Sequence, residues 1–163
     1  MTKSGSASPH IGHVHLKVAD LDRAIAFYRD IIGLDVMVQM GDRAAFLGAD
    51  GYHHHIGLNT WDSKDGTPAP RGHTGLYHTA FLYPDLEALA KTLRRALDAG
   101  VRIDGASDHG VSRAIYFNDP DGNGVEIYVD RDEADWPRGA DGTIAMTTKR
   151  FDLDQLLADH PAA

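Results

Sequence analysis

Histidine is the residue type with the most chemical potential in this chain. The 163 residues include ten histidines and no cysteine, and three histidines are adjacent at His53, His54 and His55. Histidine is the commonest metal ligand and also exchanges a proton near neutral pH. Two imidazoles and one carboxylate around a divalent ion leave coordination positions open, which is the arrangement of non-haem Fe(II) sites that bind substrate and dioxygen together. Such residues are common, so their placement must decide whether they form a site.

Two of the histidines, His13 and His78, begin similar stretches of sequence. The first stretch is HVHLKVADLDRAIAFYRDIIG and the second is HTAFLYPDLEALAKTLRRALDAG. In each, an Asp-Leu pair follows seven residues after the histidine, and apolar residues then recur at helical spacing up to a glycine. Asp20 and Asp85 are suited to cap the first helical turn, and the final glycines are suited to a left-handed helix end. The recurrence predicts an internal duplication, against the alternative of an ordinary α+β domain with a coincidental repeat.

Short strands are predicted after each helix. They are Asp35–Met40, Ala44–Leu47 and Tyr52–Asn59 in the first half, and Val101–Ile103, Arg113–Asn118 and Gly124–Val129 in the second. The predicted fold class is α+β, with tandem βαβββ modules forming a curved mixed sheet around a metal-containing cleft. The predicted layout is a flexible leader (1–9), a single domain (10–130) and a C-terminal extension (131–163). The domain consists of module 1 (10–60), a Gly- and Pro-rich linker (61–75) and module 2 (76–130). The extension has one helical candidate, Leu153–Leu157.

Strand alternation indicates which of these side chains share a face. Val14, Leu16 and Val18 would face the helix, which turns His13, His15 and Lys17 to the other side. Val125, Ile127 and Val129 would likewise turn Glu126 and Tyr128 away from the core. An unpaired buried carboxylate is costly, and a divalent ion would remove that cost. A single histidine is more often a satisfied core residue, so the equivalent positions in the repeat carry the metal-site hypothesis.

Composition excludes several other functions. The formal net charge of −8 argues against nucleic acid and anionic membranes as partners, since these need clustered Lys and Arg. No apolar run approaches a membrane span, and the polar start MTKSGSASPH is unlike a secretory signal. The absence of cysteine excludes disulfides and thiolate ligands and suits a cytoplasmic protein.

These motifs resemble the vicinal oxygen chelate superfamily, which includes glyoxalases, fosfomycin-resistance and bleomycin-binding proteins and extradiol dioxygenases. The resemblance covers about residues 10–130 and is strongest to single-domain catechol 2,3-dioxygenase-like extradiol dioxygenases carrying an HHHIGLNTW segment. It implies metal ligands at His13, His78 and Glu126. It also implies a catalytic histidine at His54, in HHIGL, and a catalytic tyrosine at Tyr116, in YFNDPDGNGVE.

The same resemblance implies an Fe(II)-dependent extradiol dioxygenase, with Mn(II) as the alternative metal. Its partners would be a catechol-type 1,2-dihydroxyaromatic and O2, its product a ring-opened semialdehyde, and its assembly a homo-oligomer, a dimer or higher. His54 would be the acid/base, Tyr116 would hydrogen-bond a substrate oxygen, and His109, in HGVS, would orient a hydroxyl or the ring. The adjacent histidines leave His55 open as the alternative to His54, because a shift of one residue exchanges strand faces.

Two further functions stay open on the same fold. The first is a glyoxalase-like metal-dependent isomerase or lyase using Ni(II) or Zn(II), which usually takes a fourth ligand, often Glu, from the last strand of the first module. This sequence has histidines there, a poor match to that pattern. The second is a non-catalytic drug- or ligand-binding module, which typically lacks the full metal set. The two-domain extradiol enzymes carry an additional N-terminal module pair, so this sequence is either a compact single-domain version or one that has kept the fold and ligands and changed its reaction.

Overall fold

The computed structural model describes residues 8–162, so most of the predicted leader (1–9) lies outside the described residues. The first half contains β1 (Val14–Lys17), α1 (Leu21–Ala26, continued by a π-helical segment, Phe27–Ile32), β2 (Asp35–Met40), β3 (Ala44–Gly48) and β4 (Ile56–Asn59). The second half contains β5 (Thr79–Leu82), α2 (Leu86–Asp98), β6 (Ile103–Asp108), β7 (Ser112–Asn118) and β8 (Gly124–Asp130). A 3-10 turn (Glu133–Asp135), β9 (Lys149–Arg150) and α3 (Leu153–Asp159) follow.

Each half forms a mixed sheet of its own. The first sheet has the order β1-β4-β3-β2 and the second β5-β8-β7-β6-β9. In both sheets the strand before the helix pairs in parallel with the last strand of its module, and the other neighbours are antiparallel. The predicted α+β fold with two βαβββ modules is therefore confirmed.

The helix ends follow from single residues. The side chain of Asp20 accepts from the backbone N–H of Arg23 at 3.0 Å, and that of Asp85 accepts from Ala88 at 2.8 Å, so both predicted caps are confirmed. Gly33 ends the π-helical segment in a left-handed conformation, with φ of 95°. Within residues 8–162, no helix is long and apolar enough to cross a membrane.

The helices lie between the two sheets and join them through one hydrophobic core. Helix α1 contacts β3 and β4, helix α2 contacts β8, and the π-helical segment contacts α2. Aromatic side chains of that segment reach the second module, with the rings of Phe27 and Phe117 at 6.2 Å. The buried Tyr28 hydroxyl donates to Asp119 at 3.0 Å, and the Tyr83 hydroxyl donates to the Ile32 carbonyl at 2.7 Å. Both sheets thus turn their apolar faces to the shared core and their other faces outward.

Two strand predictions were displaced. The strand predicted at Tyr52–Asn59 begins only at Ile56, because a left-handed turn at Asp50 and Gly51 (φ of 53° and 74°) leaves the preceding residues in a loop. The strand predicted at Val101–Ile103 instead runs from Ile103 to Asp108, where pairing with β7 overrides the weak strand propensity of glycine and aspartate.

Candidate active site

The second sheet brings together a histidine and a carboxylate. Glu126 lies on the outward face of β8, beside Ala80 of β5, and His78 immediately precedes β5. Nε2 of His78 lies 2.8 Å from Oε2 of Glu126, with the two side chains 31% and 12% exposed. His78 and Glu126, which the sequence analysis predicted to bind the same metal ion, are therefore in direct, partly buried contact.

Tyr116 and His109 continue this cluster. Tyr116 is the cross-strand partner of Glu126, and its hydroxyl lies 3.3 Å from Oε1 of Glu126 and 2.8 Å from Nε2 of His109. Burial first, and the neighbouring Glu126 charge second, raise the pKa of Tyr116 to about 12. Tyr116 therefore keeps its proton at neutral pH and can donate a hydrogen bond.

The other nitrogen of His109 contacts the C-terminal extension. Nδ1 lies 2.9 Å from the carbonyl oxygen of Thr147, shortly before β9 joins the edge of the second sheet beside β6. Sequence reasoning missed this contact. Every residue has a backbone carbonyl, so the residue type at position 147 carried no signal.

The first sheet holds a second cluster around His13. The rings of His13 and His54 lie 4.4 Å apart, and His54 also meets Phe46 at 5.1 Å. Desolvation first, and the neighbouring His13 second, lower the pKa of His54 below the ordinary histidine value. This favours the neutral imidazole, which is the form that binds a metal ion or accepts a proton.

His55 faces a different environment. Its Nδ1 accepts from the backbone N–H of Ala49 at 3.3 Å, and its ring stacks against Tyr52 at 4.7 Å. His53 touches His54 through their Nδ1 atoms at 2.7 Å. Of the three adjacent histidines, His54 is thus the one in ring contact with His13.

His15 lines the same outward face. Its ring packs over Gly57, where an added Cβ would lie 2.8 Å from Cγ of His15, so only glycine allows this packing. The His15 ring also lies 5.7 Å from Trp61, which with Arg43, Thr60 and Lys64 lines a surface cavity of about 450 Å³. Desolvation lowers the pKa of His15, with His13 as the second cause.

The two clusters do not meet within one copy of the chain. Among the described residues, no three His, Asp or Glu side chains come close enough to hold a metal ion. His13 lies by the first sheet and the His78–Glu126 pair on the second, and both sheets direct their apolar sides to the shared core. The structure therefore divides the predicted ligand set into two parts.

The donors of the second part fit a divalent metal ion. A neutral imidazole nitrogen and a carboxylate oxygen are ordinary ligands for Fe, Mn or Zn, and both must lose their protons to bind. The short contact between His78 and Glu126 already directs one of each donor type toward the other. One more imidazole, such as His13, would complete a two-histidine, one-carboxylate set.

Comparison with known proteins identifies the family of the chain. Residues 10–127 match the model of the Glyoxalase/Bleomycin resistance protein/Dioxygenase superfamily. The chain is 41% identical over 150 residues to a catechol-2,3-dioxygenase of Bacillus subtilis, covering 92% of this chain and 52% of that protein. It is 31% identical over 128 residues to a biphenyl-2,3-diol 1,2-dioxygenase of Rhodococcus globerulus, covering 77% of this chain and 65% of that protein.

The chain thus spans about half to two thirds of the length of these relatives. Among solved structures, a glyoxalase/dioxygenase of Nostoc punctiforme aligns with a TM-score of 0.63 at 20% identity, over 80% of this chain and 100% of that one. At this identity the likeness concerns the fold.

Proposed function

Because the chain belongs to the Glyoxalase/Bleomycin resistance protein/Dioxygenase superfamily, we propose that it is an extradiol ring-cleaving dioxygenase. Its substrates would be a catechol-type 1,2-dihydroxyaromatic and O2. Its product would be a ring-opened semialdehyde that contains both oxygen atoms of O2. The observation that carries the proposal is the linked group His78, Glu126, Tyr116 and His109, in which a ligand pair directly contacts a protonated phenol.

We propose Fe(II) as the metal, held by His13, His78 and Glu126. Bound there, it would orient the diol and O2 next to each other and transfer electron density between them, with Mn(II) as the alternative metal. The protein's own contribution is positional. Tyr116 would donate a hydrogen bond to a substrate oxygen, and the neutral His54 would accept and return a proton near the reacting carbon.

We further propose that a second copy of the chain completes the site. His13 of one copy would join His78 and Glu126 of the other, because in one copy these groups belong to separate outward faces. Lys17 on the first face and Glu126 on the second carry opposite charges.

Exposed apolar side chains on both faces support such contact. Val38, Met40 and Trp61 are 52%, 59% and 58% exposed beside the first sheet. Leu82 and Tyr77 are 56% and 88% exposed beside the second. Apolar surface of this kind is typical of protein–protein contacts, and a two-fold pair would use both faces twice.

The test is turnover by protein purified without oxygen and loaded with Fe(II). Catechol and substituted catechols should give a yellow ring-fission product with matching uptake of O2. Glu126→Gln should abolish both signals. Asp130→Asn, which removes an exposed carboxylate at the end of the same strand, should leave them intact. Isomerisation of hemithioacetals by the Ni(II)- or Zn(II)-loaded protein, without ring cleavage by the Fe(II) form, would replace this proposal with the isomerase function.

A further inference from the structure

We propose that the backbone carbonyl of Thr147 is a positioning group that sets which ring nitrogen of His109 carries the proton. It would hold His109 with Nδ1 protonated and the Nε2 lone pair facing the hydroxyl of Tyr116. The inference rests on the proposed function for its catalytic consequence, but the geometry that carries it is independent of any metal.

The assignment follows from which atoms can donate. The carbonyl of Thr147 can only accept, and it lies 2.9 Å from Nδ1 of His109, so Nδ1 must carry a proton. A neutral imidazole has one ring proton, and Nε2 is then an acceptor 2.8 Å from the Tyr116 hydroxyl. The backbone N–H of Thr147 also donates to the His109 carbonyl at 2.9 Å, so Thr147 holds His109 at two points.

This tautomer decides where the single hydroxyl proton of Tyr116 points. Two acceptors compete for it, Nε2 of His109 at 2.8 Å and Oε1 of Glu126 at 3.3 Å. With Nε2 unprotonated, the Tyr116 hydroxyl is the donor in both contacts and favours the shorter one, and a bound substrate oxygen would compete for the same proton. With the opposite tautomer, Nε2 would donate instead, and the hydroxyl proton would turn to Glu126. The C-terminal extension thereby controls the orientation of the phenol in the proposed site.

The stretch that carries Thr147 is held against the second sheet by backbone pairing and by a cation–π contact. Lys149 pairs with Asp108 as β9 joins β6, and the Arg113 guanidinium lies 5.8 Å from the centre of the Phe151 ring. The N–H of Ala145 donates to the carbonyl of Pro137 at 2.8 Å.

Gly110 lets this stretch approach His109 closely. An added Cβ there would lie 2.8 Å from Cγ of Pro137 and 3.3 Å from Oγ1 of Thr147. Gly110 also has φ of +77°, a backbone conformation that other residues rarely adopt. A side chain at position 110 would therefore push the C-terminal stretch, with its Thr147 carbonyl, away from His109.

The experiment compares Gly110→Ala with Gly142→Ala. Gly142 has a similar φ of +80°, but an added Cβ there meets nothing within 4 Å, so the control carries the backbone strain without displacing Thr147. The ring tautomer of His109 is measured by proton–nitrogen NMR correlations on the protein loaded with diamagnetic Zn(II). Catechol turnover by the Fe(II) form is measured alongside, with kcat and KM determined separately.

We expect wild type and Gly142→Ala to show protonated Nδ1 and unprotonated Nε2. Gly110→Ala should show a mixture of tautomers and a kcat lower by roughly 10- to 100-fold, the usual cost of losing a supporting hydrogen bond in a site. A wild-type His109 protonated at Nε2 would overturn the proposal, and this measurement needs no variant to fold. An unchanged tautomer in a folded Gly110→Ala would also overturn it. A wild-type protein with the expected tautomer that does not cleave catechol would refute the proposed reaction and support the role of Thr147.

Discussion

The proposed site between two copies makes a sharp prediction about mixed dimers. His13→Ala would remove the proposed ligand beside the first sheet, and Glu126→Gln would remove the one on the second. Each variant alone should be inactive, because every site in its homodimer lacks one ligand. A dimer with one copy of each variant should contain one site with both lesions and one site with neither.

The expected recovery follows from this count. If each two-fold dimer has two equivalent sites, the mixed dimer should regain about half of the wild-type rate per dimer. If all three ligands came from one copy, every site in the mixed dimer would still lack a ligand, and recovery would be absent. The two arrangements therefore differ by an all-or-none signal.

Co-expression of the two variants with different affinity tags, followed by purification on both tags, isolates the mixed dimer for the oxygen-uptake assay. A mixed dimer of His13→Ala with His54→Ala is the matched control. Both lesions then lie in the first module, so every site keeps one defect and activity should stay absent. An inactive dimer of His13→Ala with Glu126→Gln, folded and binding metal at the His78 half, would refute the shared site.

Three further predictions concern stability, acid/base catalysis and the metal. Tyr28→Phe should lower the free energy of unfolding, measured in urea, by about 2 kcal/mol, because the buried Tyr28 hydroxyl donates to the Asp119 carboxylate. Tyr83→Phe loses a hydrogen bond to a neutral carbonyl and should cost about 1 kcal/mol in the same measurement. Burial raises the pKa of Asp119, and the Tyr28 hydrogen bond opposes that rise, so the stability that Asp119 contributes falls as pH rises through its raised pKa. The cost of Tyr28→Phe in free energy of unfolding should therefore be larger at neutral pH than below the ordinary pKa range of aspartate. An equal cost at both pH values would contradict the argument. His54→Gln should lower kcat by roughly 10²- to 10⁴-fold with metal content unchanged, while His55→Gln should retain activity; the reverse result would assign the catalytic role to the other histidine. Removal of metal by a chelator should abolish ring cleavage. Fe(II) at about 100 times its Kd should restore ring cleavage and raise the free energy of unfolding by about 2.7 kcal/mol. Equal turnover by the metal-free protein would exclude the proposed metal role.

Much of the module architecture could be predicted because it depends on local chemistry. A short carboxylate before an apolar helix is a cap wherever it occurs, and Asp20 and Asp85 behave alike in both modules. Strand alternation has a period of two, so the burial of Val125 and Ile127 necessarily turned Glu126 to the opposite face. The contact between Glu126 and Tyr116 follows from this alternation and the β7–β8 register.

The packing of the modules could not be predicted in the same way. Alternation indicates that a strand has an apolar face, but not which element covers it. The π-helical segment covers part of the second sheet through Phe27 and Tyr28, and this places the helices between the sheets. The Thr147 contact was equally inaccessible, because it uses a backbone carbonyl 38 residues from His109.

The sandwiched helices also constrain how copies of this chain can assemble. Because each molecule carries its two proposed half-sites on separate outward faces, one copy can meet different neighbours through each face. If both faces engage the same neighbour, the assembly closes after two members; if they engage different neighbours, it grows as an open chain. A substitution that tilts one sheet relative to the helices would therefore change how copies assemble, and gel filtration would detect this as a change in mass.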